Sequence, residues 1–274
     1  MLAARMEFFP AKSSEKGRVA LVGAVQLYLL ELRFNGQTWG KDEFIYWKDG
    51  VYTVELKLPK PNSVEQKWCN AKVKKYYQEV VEASAKKPRF TVIGDRPYGR
   101  VGSAKNSKSL IVTAHMHDNT SPVKSGATGA PIPLYLLPLD TRLRDELVGW
   151  QSRFWLMDDA WYVSGSLELE GYKEMADPFS CTANCGRELA SRVEKSTGLA
   201  TYYFLFRFYS RPSGEESRRC PVCNGKWAIG HKGLGDKTLS SLPLRCDRCR
   251  LVSKCGSCVD GRRAHIGEYR DRSQ

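Results

Sequence analysis

Six of the nine cysteines lie between Cys220 and Cys258 as three pairs, each with two residues between its thiols. In a tight turn that spacing aims both sulfurs at one point about 2.3 Å away, and two such turns complete a tetrahedral thiolate site for zinc. Cys220-Pro221-Val222-Cys223 and Cys246-Asp247-Arg248-Cys249 are the pairs best placed to do so. The 22 residues between them slightly exceed the usual ribbon spacing of about 15 to 20 and leave room for a short hairpin. Gly225, Gly230, Gly233 and Gly235 supply turns there, and Trp227 with Ile229 a short strand. Cys255 and Cys258 offer a competing set with Cys246 and Cys249, but the five residues from 250 to 254 leave little chain for ribbon hairpins. An odd cysteine total, clustered in this way, is the wrong pattern for the disulfide framework of a secreted domain. A closed four-thiolate site keeps no position open for water, so one structural zinc ion is expected, contributing folding energy of order 10 kcal/mol and no catalysis.

The remaining groups promise less chemistry. Cys69 sits in a helix-like stretch and reads as a small core residue. Cys181 and Cys185 are four apart at the start of another such stretch, without nearby ligand partners. His115 and His117 alternate onto one strand face near Asp118, an arrangement more common on surfaces than in active sites. The chain has no phosphate loop, no nucleophile elbow and no dinucleotide fingerprint, and we expect no enzyme.

The charge points to partners. Forty-three Lys and Arg against thirty Asp and Glu give +13, which attracts polyanions. The segment 211–274 holds fourteen basic and seven acidic residues, net +7 in 64, against +6 in the preceding 210. Arg218 and Arg219 precede the first cysteine pair, and Arg245, Arg248 and Arg250 surround the second. The leading expectation is therefore non-enzymatic binding of nucleic acid, DNA or RNA undecided, by these five arginines. Arg245, Arg248 and Arg250 are the foremost candidates for charge-assisted bonds to phosphate. The alternative is a zinc-ribbon module that docks an acidic protein.

These groups need a frame to hold them. Ser14 to Arg33 is apolar enough for a largely buried helix, with a strand through Val19, Val22 and Val25 as the alternative. Asn35-Gly36 ends it. Glu43–Trp47 and Val51–Leu58 alternate apolar with polar about Asp49-Gly50, which predicts a tight hairpin. Ser63 to Lys86 reads as an amphipathic helix with a basic face. Arg89–Ile93 and Leu110–Ala114 read as strands flanking a glycine-rich loop that carries Arg96, Arg100, Lys105 and Lys108. Ile132–Leu137 resembles a buried strand, after which Asp140 caps a helix through Leu143, Leu147, Trp150, Phe154 and Trp155. A further helix spans Gly186 to Gly198. Residues 201–209, aromatic on both alternating faces, suit a central strand; a base-stacking role there would need an exposed face. Helices and strands alternate without a parallel-sheet rhythm, so the expected class is α+β with a mixed or antiparallel sheet, followed by a small C-terminal zinc ribbon. The polar stretch from Arg211 to Ser217 places the boundary between a 1–210 domain and a basic 211–274 domain. The longest apolar run, Val19 to Leu30, is short of the roughly 18 to 20 residues a bilayer span requires, and the chain reads as cytoplasmic.

Three stretches resemble a known family. They are Arg33-Phe34-Asn35-Gly36-Gln37; then Gly186-Arg187-Glu188-Leu189-Ala190 leading to Thr197-Gly198 and Tyr202-Tyr203; then the cysteine pairs with Cys246-Asp247-Arg248-Cys249-Arg250-Leu251-Val252-Ser253. In order and spacing the chain is similar to a family of uncharacterised bacterial proteins described as containing a zinc ribbon, with nucleic-acid binding suggested for it, and catalogued as a domain of unknown function (DUF2310). The resemblance implies a ribbon on Cys220, Cys223, Cys246 and Cys249 and adds no known activity. Cys255 and Cys258 fall outside the pattern.

Overall fold

The computed structural model describes residues 2–95, 100–115, 118–227 and 236–270, with the side chains of residues 41, 42 and 216 set aside. Arg96, His117, Ile229, Gly230, Gly233 and Gly235, each singled out above, lie outside the described residues. The chain forms two compact units. One comprises Met1–Val101, Asn119–Ser121 and Pro133–Asp145; the other comprises Gly102–Asp118, Pro122–Ile132 and Glu146–Gln274.

The first unit runs β1 (Leu2–Pro10), α1 (Glu15–Phe34), β2 (Trp39–Lys48), β3 (Val51–Leu58), α2 (Ala71–Ala83) and β4 (Ser84–Asp95). The sheet order is β2-β3-β1-β4, with antiparallel neighbours throughout. This is the split βαβ, ferredoxin-like topology. Ser14 accepts a hydrogen bond from the Gly17 N–H and starts α1, as an N-cap serine does. The β2–β3 hairpin turns at Asp49 (φ 51°) and Gly50 (φ 75°), and two positive φ values in a two-residue loop match the twist of the strands they join. Ala4, Met6 and Phe8 of β1 and Tyr52, Val54, Leu56 and Leu58 of β3 bury one sheet face against Leu21, Val25, Leu29 and Leu32 of α1 and Val73 and Val80 of α2. The Arg33–Gln37 stretch has a structural part in this unit. Buried Asn35 donates to Gln37 Oε1 (2.7 Å) and to the Trp68 carbonyl (2.9 Å), and Gln37 donates to the Ser63 carbonyl (2.7 Å). Satisfied buried polar groups of this kind fix a unique arrangement.

Two expectations in this unit need correction. The helix expected over Ser63–Lys86 begins only at Ala71, because the Asn70 side chain caps it by accepting from the Val73 N–H; its lysine-bearing end is already strand β4. Ile132–Leu137 is not a strand. Leu134 and Leu137 are buried, but Leu134–Leu136 forms a 3₁₀ turn, and a short apolar run does not reveal which backbone buries it.

The second unit holds β5 (Ser109–Val112), β6 (Val123–Ser125), most of α3 (Thr141–Val163), α4 (Glu168–Ala176), α5 (Cys181–Thr197), β7 (Ala200–Phe204), β8 (Tyr209–Ser210), α6 (Lys237–Ser240), β9 (Leu244–Cys246), β10 (Leu251–Ser253) and β11 (Cys258–Val259). Its main sheet is mixed, in the order β6-β5-β7-β10-β9, with β7 parallel to both β5 and β10. α5 starts at the Ser180 cap and stops at Gly198 in the left-handed conformation. Gly186 lets α5 lie directly on the sheet: a Cβ there would come within 2.4 Å of the Tyr203 ring and 2.9 Å of the Trp150 ring. The strand expected over 201–209 is shorter: β7 ends at Phe204 and residues 205–208 lie outside any strand; Tyr202, Tyr203, Phe206 and Tyr209 are buried and Phe204 and Phe208 half-buried.

The protein is thus α+β with antiparallel and mixed sheets. β9 and β10 extend the sheet begun by β5 and β7, so residues 211–274 share a compact unit with residues 146–210. No helix among the described residues is long and apolar enough to cross a membrane.

Candidate metal centre

Each cysteine pair is a turn ended by a left-handed residue. In the first, the Asn224 N–H donates to the Cys220 carbonyl (2.9 Å) and the Cys220 N–H to the Gly225 carbonyl (2.8 Å). Asn224 follows the second cysteine at φ 57°, and Arg250 follows the other pair at φ 50°. Asparagine tolerates that region and arginine seldom adopts it, so the second turn is held by its surroundings. The turns bring Cys220, Cys223, Cys246 and Cys249 together with all four sulfurs within 4.8 Å of one another, the one such convergence of three or more His, Cys, Asp or Glu among the described residues. Cys223 Sγ and Cys246 Sγ are 3.6 Å apart. A disulfide would need about 2.05 Å, whereas two sulfurs on a tetrahedral zinc with bonds of about 2.3 Å sit about 3.8 Å apart.

The residues therefore fit a four-thiolate metal ion, and all four donors are soft sulfur. Cys220 and Cys246 are buried, while Cys223 and Cys249 are half-buried and face a groove lined also by Arg187, Glu194 and Arg248. Burial pushes the Cys220 thiol up to about 11, the nearby Cys246 adding to it. For Cys223 burial acts the same way, but the Gly225 N–H and the other three thiols stabilise its thiolate and bring it down to about 7. Burial and the Cys223 neighbour raise Cys249. Cys255 is exposed, and Cys258 lies on β11 opposite Tyr209; neither joins the group. Cys69 is buried as a small core residue, although it precedes α2 and lies outside any helix.

The second turn is braced by the unit's own sheet and helix. β10 pairs with β7, the Tyr203 N–H donating to the Arg250 carbonyl and the Leu205 N–H to the Val252 carbonyl, both at 2.8 Å. Tyr202 donates to Asp247 Oδ1 at 2.6 Å. Arg250 forks onto Glu194 of α5 (2.9 and 3.0 Å) and lies over the Tyr202 ring. Burial alone would raise Glu194, but Arg250 and the Thr201 N–H outweigh it and lower its carboxyl. The first turn has a different brace: Arg218, its side chain 1% exposed, bonds Glu215 and Glu268 at 2.8 Å and the Ala264 carbonyl at 3.0 Å.

The five arginines expected at a phosphate surface therefore divide. Arg218 and Arg245 are buried, Arg245 paired with Asp247 at 3.1 Å, and Arg250 is held by Glu194. Arg219 and Arg248 are exposed. Sequence reasoning did not find the acids that hold the others, because Glu194 and Glu268 are 56 and 50 residues away along the chain. It also missed Arg207, which is buried with its guanidinium over the Trp227 ring and brought down to about 10 by burial and by Arg218 nearby.

Fold and site together define an α+β protein in which four clustered cysteines near the C-terminus could hold a metal ion. Residues 103–206 match the family profile described as a domain of unknown function (DUF2310). Two further domains of unknown function match residues 6–94 (DUF8589) and 210–257 (DUF8594). An uncharacterised protein of Haemophilus influenzae is 32% identical over 230 residues, covering 81% of this chain and 85% of its own. A second from the same organism is 31% identical over 215 residues, covering 77% and 95%. The chain belongs to this family of uncharacterised bacterial proteins. Two solved structures, Rv0793 from Mycobacterium tuberculosis and an antibiotic biosynthesis monooxygenase, align with 35% of the chain and 96% and 100% of their own, at 14% and 7% identity and a TM-score of 0.28 each. At that score neither bears on the reading of this chain.

Proposed function

We propose that Cys220, Cys223, Cys246 and Cys249 hold one structural zinc ion in a small ribbon, and that the protein binds nucleic acid without catalysis through cations displayed beside it. The convergence of four sulfurs within 4.8 Å carries the metal half of this reading. Bound zinc would close the four thiolates, displace their protons and contribute folding free energy. The chain's own residues supply the rest. Arg219 adjoins the first turn and Arg248 lies within the second, both exposed, on a chain of net charge +13.

Phosphate binding by these arginines releases counterions, so affinity for a labelled duplex falls with salt at a slope of about −0.9 per phosphate neutralised. Replacing both, Arg219→Glu with Arg248→Glu, is expected to weaken binding and flatten that slope by roughly two. Failure of the wild-type protein to bind DNA or RNA, or a slope near zero, would overturn the reading. A partner that survives nuclease treatment in a pull-down would point instead to an acidic protein.

A further inference from the structure

The second sheet face of the first unit carries a different kind of surface. Side chains alternate across a strand, so if Ala4, Met6 and Phe8 face the helices, Arg5, Glu7 and Phe9 face away. The strand registers extend that face. Phe44 lies opposite Glu55, which lies opposite Arg5; Tyr46 lies opposite Thr53, which lies opposite Glu7, next to Arg89. Lys48 and Lys57 share the parity of Tyr46 and Glu55, and Lys86 Nζ sits 3.9 Å from the centroid of the Phe9 ring.

Phe44 is 69% exposed. Its ring centroid is 5.4 Å from that of Tyr46, making a two-ring aromatic strip. Five cations, Arg5, Lys48, Lys57, Lys86 and Arg89, share this face with two acids, Glu7 and Glu55. Arg5 and Arg89 are paired to those acids at 2.7 and 2.6 Å. Lys48, Lys57 and Lys86 form no salt bridge among the described residues. The exposed Phe44 ring, with the half-buried Tyr46 beside it, at the side of a net-positive sheet matches what single strands require: any base can stack on an aromatic ring, and the backbone follows the cations. A second copy of the chain would bring a face of the same positive sign, which like-charge repulsion opposes.

We propose that the open face of the β2-β3-β1-β4 sheet binds single-stranded nucleic acid, with bases stacked on Phe44 and Tyr46 and phosphates contacted by Lys48, Lys57 and Lys86. This extends the nucleic-acid reading to a surface separate from the ribbon arginines. The test uses the full metal-loaded chain and labelled oligo-dT and oligo-U of about twenty nucleotides, which separate DNA from RNA. Phe44→Leu with Tyr46→Leu keeps apolar bulk and removes the rings, and unchanged circular dichroism and zinc content confirm that it folds. The double variant is expected to lose roughly tenfold or more in affinity while the salt slope stays the same, because stacking releases few counterions. Affinity within twofold of wild type overturns the proposal. So does loss of self-association in sedimentation, which would identify the face as a contact between copies. If Arg219→Glu with Arg248→Glu alone loses binding, this inference fails and the ribbon reading stands. If the leucine variant alone loses it, the ribbon reading fails and the sheet proposal stands.

Discussion

The two cysteine turns share their length and their left-handed final residue, yet they are held by different means. The Cys246–Cys249 turn joins β9 to β10, and β10 is hydrogen-bonded into the five-stranded sheet. Tyr202 and Glu194 hold its Asp247 and Arg250. Among the described residues, the strand pairing that flanks the Cys220–Cys223 turn is an isolated bridge between Arg219 and Lys226. Arg218 anchors it from one side, and the Arg245 N–H donates to the Trp227 carbonyl (2.7 Å) from the other. The difference predicts that an ion held by the four sulfurs would stabilise the first turn more than the second, which the sheet already braces.

Losing the ion is expected to have the largest effect, up to the order of 10 kcal/mol for a structural thiolate site, spread unevenly. Cys220→Ser and Cys246→Ser should both remove the metal. Hydrogen exchange should then rise first across residues 218–227 and later, or not at all, across Leu251–Ser253. Equal loss of protection in both turns would erase the distinction drawn here.

Next comes Arg218→Leu. It removes the buried cation between Glu215 and Glu268, of which Glu268 keeps Arg211 at 2.7 Å; removing one partner of a buried pair costs up to about 3 kcal/mol, and denaturant unfolding should read it. On the other turn, Glu194→Gln breaks a half-exposed pair, and solvent screening limits the loss to about 1 kcal/mol or less. A larger loss for Glu194→Gln than for Arg218→Leu would reverse the assignment of which turn depends on its arginine.

Acid should sharpen the same contrast. Glu268 is lowered although burial alone would raise it, because His265, Arg211 and Arg218 favour its carboxylate; Glu194 is lowered for the corresponding reason. A carboxyl whose folded pKa lies below its unfolded value of 4.5 contributes fully above that pH. The contribution is lost as pH falls through the folded value. Stability of the second unit should therefore hold down to about pH 4.5 and decline below it, less steeply in Glu268→Gln than in wild type. The smallest effect is expected from Cys255→Ser with Cys258→Ser, which should leave zinc stoichiometry unchanged, because neither sulfur joins the cluster.

Local chemistry was legible in the sequence where a short spacing dictates geometry. The cysteine turns follow from two intervening residues, the β2–β3 hairpin from Asp49-Gly50, and the C-terminal end of α5 from Gly198, whereas its start at Ser180 lies six residues before the expected Gly186. Long-range pairing was not legible. Composition made Arg245 and Arg250 resemble free cations, but their fate depends on Asp247 and on Glu194, and only the folded sheet shows that Glu194 faces the second turn. Most of the aromatic run at 201–209 is buried. The exposed Phe44 ring lies beside the half-buried Tyr46, and their neighbours across the sheet are fixed by register. The boundary at 211 marks a change in composition, and the sheet crosses it because β10 returns to pair with β7.

Metal analysis of the purified full-length protein tests the central claim most directly. One zinc per chain is predicted, with the four clustered thiols becoming reactive to a thiol reagent only after chelation. A metal-free protein whose 220–227 segment is already protected from exchange would contradict it, because the first turn would then be closing without the ion that the account requires.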